Sequence, residues 1–391
     1  MTSNKRTLII DGNFMCKRLL HDYTFKDDPE KDRRGYLTDL ANHMACEIER
    51  VSGFCDNIIM VKDSHSWRKS VPILPNLKVD TEGNVYKTRD VEENYKANRV
   101  QSDDRDWHLI FTTFVEFCEC LRDHFGVAFI DVPETEGDDC IWGVCKYLRK
   151  NKIKSCVYCT DSDISQLVTP SNVILRRIRS KEAPDGEIVV DNTFWKLYSE
   201  ATDSTDPMAV FNFNPVKWAP EQDMLKGKSL DQGITICHVP YKILKMMFIG
   251  SSKDNVPEIF TWRNKSQFRH ITDKFVEEAL LLSGKIKEQV TFQDLYFEPF
   301  LKSMIINICH VTKQTQFVQY LDYLYELVLQ NRKLNFLSER EIPQSVQDSI
   351  FACIEAQVPH MQANFTKLSK ASNVLDYLHV TKDKIYQQLG I

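Results

Sequence analysis

Short blocks of consecutive apolar residues recur along the first half of the chain, each bounded by polar residues: Thr7-Leu8-Ile9-Ile10, Asn57-Ile58-Ile59-Met60-Val61, Val127-Ala128-Phe129-Ile130, Ser155 to Cys159 and Asn172 to Leu175. Such blocks, short and rich in aliphatic residues, read as strands buried on both faces. Between them the spacing becomes helical, most clearly over residues 109–124 (LIFTTFVEFCECLRDH) and 139–150 (DCIWGVCKYLRK). Strands alternating with helices of this length predict βαβ units, hence an α/β fold with a mostly parallel central sheet flanked by helices.

The pattern weakens in two places. Between Asp63 and Trp107, charges of both signs replace it over a stretch too long for an ordinary connection, which marks the segment as functional or mobile. Residues 200–236, with ATDSTDP and FNFNPVKWAP, read as an inserted loop region. Farther on, no glycine occurs from Lys285 to Leu389, and Phe317, Tyr320, Leu321, Leu324, Leu327 and Val328 keep the spacing of one amphipathic helix. The expected organisation is a core over residues 1–265 and a helical C-terminal region over 266–391.

Composition narrows the class. With 391 residues, 42% of them hydrophobic, the chain can bury a sizeable core. It has no apolar run of roughly 18 residues, and MTSNKRTLIIDGN passes from a polar lead straight into a strand, so a cytoplasmic protein without membrane contact is expected. Twelve cysteines are then reduced thiols. Cys156 and Cys159 have zinc-like spacing, but on a strand they face opposite ways, and strand packing is the better reading. A net charge of −5 excludes a uniformly basic nucleic-acid binder and leaves room for local basic stripes.

The strand-like blocks end in acid. LIID closes at Asp11, IIMVKD at Asp63 and VYCTDSD at Asp161 and Asp163, while VAFIDVPETEGDD leads to Glu136, Asp138 and Asp139. Any one of these fits a turn or the first turn of a helix. Together they would converge where open parallel sheets bind ligands, at the carboxyl ends of the strands. Two carboxylates ~4 Å apart repel by about 4 kcal/mol at an effective dielectric of 20, so such a cluster calls for cations. Oxygen-only donors select Mg²⁺ or Mn²⁺, and Asp161 and Asp163, two apart, point to the same side. Two such ions suit phosphodiester hydrolysis.

The ordered motifs DGN (11–13), VKD (61–63), YKANR (95–99), ETEGDD (134–139), TDSD (160–163) and GSSKDNVP (250–257) resemble the 5′-nuclease, or flap endonuclease, superfamily, in the form of the ribonuclease H/5′-exonucleases of T-even-like bacteriophages. The likeness spans about residues 5–265. It implies a PIN-like core with a helical arch over about 64–107 and a DNA-binding helix-turn-helix over about 238–265. It also implies a monomeric nuclease using two Mg²⁺ ions, with K⁺ at the helix-turn-helix, that removes RNA primers and 5′ flaps from DNA and RNA–DNA duplexes in phage replication. Its partners would be a single-stranded-DNA-binding protein and a sliding clamp, and its compartment the host cytoplasm.

Carried over by motif, Asp11, Asp63, Glu136, Asp138, Asp139, Asp161, Asp163 and Asp254 hold the metals, and Lys96 and Arg99 stabilise the scissile phosphate. The i, i+3 spacing of that pair agrees, since it shares one face of a helix. Tyr95 packs at the arch base or stacks on a base. Arg18, Lys242, Lys245, Gly250, Ser251, Ser252, Lys253 and Asn255 are candidate DNA contacts, and Arg176-Arg177-x-Arg179-x-Lys181 further candidate phosphate contacts, against the alternative of solvated surface cations. The chain departs from the family's Gly-Asp-x-x-Asp-Asn at Ser251, which implies a weaker second metal site, and it lacks the usual Gly-x-Gly hairpin. Two alternatives share the acids or the fold: a PIN-like ribonuclease and a catalytically silent branched-DNA-binding protein.

Overall fold

The structure is a computed structural model that describes residues 6–20, 23–51, 55–80, 82–88, 95–96, 104–176, 187–191, 234–264 and 267–380. In chain order its elements begin with β1 (Arg6–Asp11), α1 (Gly12–Arg18), α2 (Pro29–Val51), β2 (Asn57–Val61), β3 (Leu77–Val79) and β4 (Val85–Lys87). There follow α3 (Trp107–Phe125), β5 (Ala128–Ile130), α4 (Gly137–Lys150), β6 (Lys154–Cys159), β7 (Asn172–Arg176), β8 (Glu187–Asp191) and β9 (Ile234–Cys237). The remainder comprises α5 (Val239–Ile249), β10 (Phe260–Asn264), β11 (Gln267–Arg269), α6 (Asp273–Leu282), α7 (Glu298–Val311), α8 (Leu321–Asn335), α9 (Gln344–Gln357), α10 (Phe365–Leu368) and α11 (Ala371–Tyr377).

Two compact units interleave along the chain instead of meeting at a single cut: residues 1–65, 102–236 and 344–391 form the first, residues 66–101 and 237–343 the second. The first holds a seven-stranded sheet in the order β5-β2-β1-β6-β7-β8-β9. Strands β5, β2, β1, β6 and β7 are parallel, and β8 runs antiparallel to β7. Leu8, Ile10, Met60 and Tyr158 bury one sheet face with Tyr36 and Leu40 of α2 and Phe114, Phe117 and Leu121 of α3. Ile9, Ile59 and Val157 are equally buried on the other face, where α4 lies against β1, β2 and β6. Covering both faces accounts for the continuous apolar blocks.

The two crossover helices form where the spacing predicts them. Asp106 caps α3, its carboxylate accepting from Leu109 N at 3.0 Å, and Gly126 ends it in a left-handed conformation with φ +70°. The expected continuous helix over 317–328 instead begins with a 3₁₀ segment, Thr315–Tyr320, before α8. Phe317, Leu324, Leu327 and Val328 are all buried, so the apolar stripe survives the change in winding.

In the second unit, β11-β10-β3-β4 make a small sheet, with β10 parallel to β3 and the outer pairs antiparallel. Its strands β3 and β4 lie in the segment expected as a helical arch. Between residues 64 and 106, the described residues contain no α-helix, only the 3₁₀ turn Trp67–Ser70 and these two strands. The reason is a period of two: Leu77 and Val79 turn inward and pair with Phe260 and Trp262, while Lys78 turns outward. Residues 200–233 of the inserted loop region, with Arg177, Arg179 and Lys181, lie outside the described residues. All twelve cysteines are free thiols, and Cys156 and Cys159 are buried in β6. Among the described residues no helix is long and apolar enough to cross a membrane.

Candidate active site

Strand register sets the site. Asp11 pairs with Val61 and Val61 with Ile130, while Ile10 pairs with Tyr158, so the carboxyl ends of β1, β2, β5 and β6 fall on one edge of the sheet. Asp11 ends β1 and caps α1, its Oδ1 accepting from Phe14 N at 3.2 Å. Gly12 permits the sharp exit, because a Cβ there would stand 2.5 Å from the Val61 carbonyl oxygen. That close approach brings the end of β2 alongside Asp11.

Two residues beyond β2, Asp63 joins three elements. Its Oδ2 accepts from Asn13 Nδ2 at 2.5 Å and its Oδ1 from Gly137 N, the first residue of α4, at 2.9 Å. Asp161 lies two residues beyond β6, and its Oδ1 accepts from Asp163 N at 2.8 Å. Glu136 stands at the N-cap position of α4 without a side-chain capping hydrogen bond, and Asp138 and Asp139 lie in the first turn, where backbone N–H groups and the helix dipole favour negative charge. Asp139 is fully buried and Glu136 nearly so.

The electrostatics register the convergence. Burial pushes the Asp11 carboxyl from its ordinary 3.8 up to about 6, with Asp63 and Asp161 raising it further against the lowering effect of the Phe14 and Asn13 amides. The structure thus brings Asp11, Asp63 and Asp161 into electrostatic range, and the Gly137–Asp63 hydrogen bond ties the acids of α4 to the same edge. Among the described residues, no three His, Cys, Asp or Glu side chains are placed closely enough to hold a metal ion as they stand. The donor chemistry fits a hard divalent cation nonetheless: oxygen ligands only, and a carboxyl whose ionisation its neighbours oppose.

Of the remaining predicted residues, Arg18 and Arg176, the last residue of β7, belong to the first unit, as does the run that follows Arg176, and the others fall in the second. Lys96 lies in a turn, not a helix. Its φ of +59° has no place in a right-handed helix, so the shared-face argument for Lys96 fails, and Arg99 lies outside the described residues. Lys96 N donates to Asp254 O at 2.8 Å, and its ammonium stands 4.9 Å from the Tyr95 ring centroid. Tyr95 itself is buried with Ile73, Val256 and Leu334, so of its two expected roles the packing one is realised.

The helix-turn-helix segment opens with α5 and turns at Gly250, where φ is +71° and a Cβ would meet Val256 O at 2.4 Å. Ser251 and Val256 form an antiparallel bridge around the 3₁₀ turn Ser252–Asp254, and Asn255 follows with φ +57°. Ser251 Oγ donates to Asp254 Oδ2 at 2.8 Å, and Asp254 is buried. Ser252 and Lys253 are exposed and Lys242 half-buried, while Lys245 is paired with Asp273 at 2.7 Å. In the first unit the Arg18 guanidinium lies 5.6 Å from the Phe14 ring centroid.

Sequence reasoning missed Gly12, Asn13 and Gly137, which hold the acids in place. Their signal was present in the DGN and EGDD motifs, of which only the carboxylates were read. It also missed the ion pair between Lys62 and Asp131, 2.9 Å, beside Asp63.

Residues 6–194 match the family described as 5′-3′ exonuclease, N-terminal resolvase-like domain. Comparison with curated proteins gives no match. Among solved structures, one of a bacteriophage T5 protein co-crystallised with metal ions has a TM-score of 0.43 and 13% identity, covering 96% of this chain and 99% of that one. The T5 5′-exonuclease with bound zinc gives 0.44 and 13%, covering 90% and 99%. A T5 flap endonuclease variant in a pseudo-enzyme-product complex with DNA and metal ions gives 0.43 and 13%, covering 97% and 100%.

Proposed function

We propose that this chain is a divalent-metal-dependent 5′-nuclease that hydrolyses phosphodiester bonds at 5′ ends or flaps of DNA and RNA–DNA duplexes, a reading that the match of residues 6–194 to the 5′-3′ exonuclease N-terminal resolvase-like domain supports. The observation that supports this reading most is Asp11, a carboxyl held near neutral pH by burial and by Asp63 and Asp161 at the end of adjacent parallel strands. A structural turn acid has no need of two like charges.

Asp11, Asp63 and Asp161, with Glu136, Asp138, Asp139 and Asp163, would hold the ions, Mg²⁺ or Mn²⁺. Bound there, divalent ions supply an activated water and neutralise charge on the leaving oxygen. The chain's part is positional. The Asn13 amide and Gly137 N–H fix the Asp63 carboxylate, and the Asp163 N–H fixes that of Asp161. Lys96 and Arg99 would meet the negative charge that develops on the scissile phosphate, and Ser252, Lys253 and Lys242 would contact the duplex backbone. Removal of RNA primers and flaps in replication, with a single-stranded-DNA-binding protein and a sliding clamp as partners and K⁺ at the Gly250–Asn255 turn, belongs to the same proposal.

The test is cleavage of 5′-labelled flap, nicked and RNA-primed duplexes in chelator and after restoring Mg²⁺. Cleavage only with the metal, with product lengths that separate exonuclease from flap cutting, is expected. Undiminished cleavage in chelator would refute the metal reading, and no cleavage under any condition would refute the nuclease.

A further inference from the structure

We propose that the outward face of the small sheet β11-β10-β3-β4 binds single-stranded nucleic acid, stacking bases on Tyr86 and Phe268 while Lys78 and Arg263 meet the phosphates. The proposal builds on the nuclease reading and assigns a surface to the unpaired part of its substrate.

Strand register places these residues together. Lys78 pairs with Tyr86 on one side and with Thr261 on the other, and Arg263, two residues along β10, pairs with Phe268. Cross-strand partners share a face, as do residues two apart, so all five project from one side. The opposite side is the core, with Leu77, Val79, Phe260 and Trp262 buried. A strand sequence that alternates apolar with polar needs no aromatic residue on its wet face. Yet Tyr86 is 43% exposed and Phe268 42%.

Cations surround the outer ring. The Lys78 ammonium stands 4.9 Å and the Arg263 guanidinium 5.9 Å from the Phe268 centroid. To reach Phe268 on β11 from β3, the Lys78 stem crosses β10 above the Thr261 row. Beneath it, Thr261 is 3% exposed, and its Oγ1 has no hydrogen-bond partner among the described residues. Glu258, an acid within electrostatic reach of Lys78, accepts from Ile271 N at 2.8 Å and from His270 Nδ1. Asp80, in the β3–β4 turn, accepts from Asn84 N and Glu82 N of that turn, each at 2.8 Å.

A sheet of four strands places Tyr86 and Phe268 three strand spacings apart and two residues out of line, ~16 Å in all, which leaves two rings on either side of a cationic strip. Exposed rings interleaved with fixed cations are what single strands use: every base has a face to stack, and the phosphates follow the charge. A duplex, its bases already stacked, offers these rings nothing.

The experiment titrates a fluorescein-labelled oligothymidylate with the full chain in EDTA, where no metal-dependent cleavage intervenes. Phe268→Ala and Tyr86→Ala should each weaken binding about tenfold. Arg263→Gln and Lys78→Gln should instead flatten the dependence of log affinity on log salt by about 0.7 each. Phe268→Leu keeps the apolar bulk without the ring and should behave as Phe268→Ala, with an unchanged melting curve. Asp161→Asn should bind the oligonucleotide like the wild type, so binding stands or falls apart from cleavage. A Tyr86→Ala/Phe268→Ala double variant with wild-type affinity would overturn the proposal. So would a wild-type chain that does not bind the oligonucleotide, which would leave the face to a protein partner.

Discussion

Replacing Asp11 by asparagine separates what this residue does for chemistry from what it does to stability. Its carboxyl stands at about 6 against an ordinary 3.8. A folded-state pKa above the unfolded one means that the folded chain binds the proton more tightly. The associated stability is therefore fully present below about 3.8 and lost as pH rises through about 6. Roughly two pKa units correspond to ~3 kcal/mol, the destabilisation that ionised Asp11 imposes on the metal-free chain at pH 8. Asparagine is close in shape, still caps α1 by accepting from Phe14 N, and cannot ionise.

Asp11→Asn should thus raise the urea midpoint in EDTA at pH 8 by the equivalent of ~1–3 kcal/mol with an unchanged m-value, and leave it nearly unchanged at pH 4. Saturating Mg²⁺ should narrow or reverse the gap, because only the wild type gains the full binding energy. Turnover should be lost in every condition. Equal stability of the two proteins at pH 8 in EDTA, or the same gap at pH 4 and pH 8, would refute the raised Asp11 pKa, which burial chiefly causes and Asp63 and Asp161 add to.

Asp161→Asn and Asp138→Asn should abolish cleavage yet retain duplex binding, since neither removes attraction to phosphate; near-wild-type rates in both would mislocate the site. Lys96→Ala, on the proposed role, should lower the single-turnover rate on a flap substrate by ~10²-fold or more with little loss of affinity, and an unchanged rate would take Lys96 out of the chemistry. Ser251→Asp should destabilise the chain, because it removes the donor to Asp254 and sets two carboxylates side by side at a repulsion of about 4 kcal/mol before relaxation; a tighter Mg²⁺ requirement with unchanged melting would show instead that position 251 faces an ion. Gly250→Ala should cost at least ~2 kcal/mol, as its φ of +71° and ψ of −160° belong to glycine alone, and a melting curve like the wild type's would contradict the turn geometry.

Much of the first unit was legible because parallel strands buried on both faces leave uninterrupted blocks such as Asn57 to Val61, and because each block ends beside the acid it presents. The hydrogen bonds that aim those acids were not legible. Asn13 and Gly137 act across long sequence separations, and nothing local shows that Asp63 is their common partner. The helix expected at Lys96 fails for a different reason. A spacing of three fits a helix only if the backbone is helical, and Lys96 instead donates its N–H to Asp254, far along the chain. At Leu77 to Val79 a period of two was visible, but three residues are too few to outweigh the surrounding charges.

The interleaving of the two units has a consequence for biosynthesis. The first unit's outer helix α4 receives Ile350 against Gly143, and the Phe129 amide of β5 donates to Gln357 at 3.0 Å. A chain emerging from the ribosome therefore carries every strand-end acid long before it carries the residues that close over the same sheet's flank. Release of a folded first unit must wait for almost the last helix. A stop codon at position 266 would not trim away an accessory domain. It would expose the α4 surface around Gly143, and such a fragment is expected to be degraded by protease under conditions in which the full chain survives.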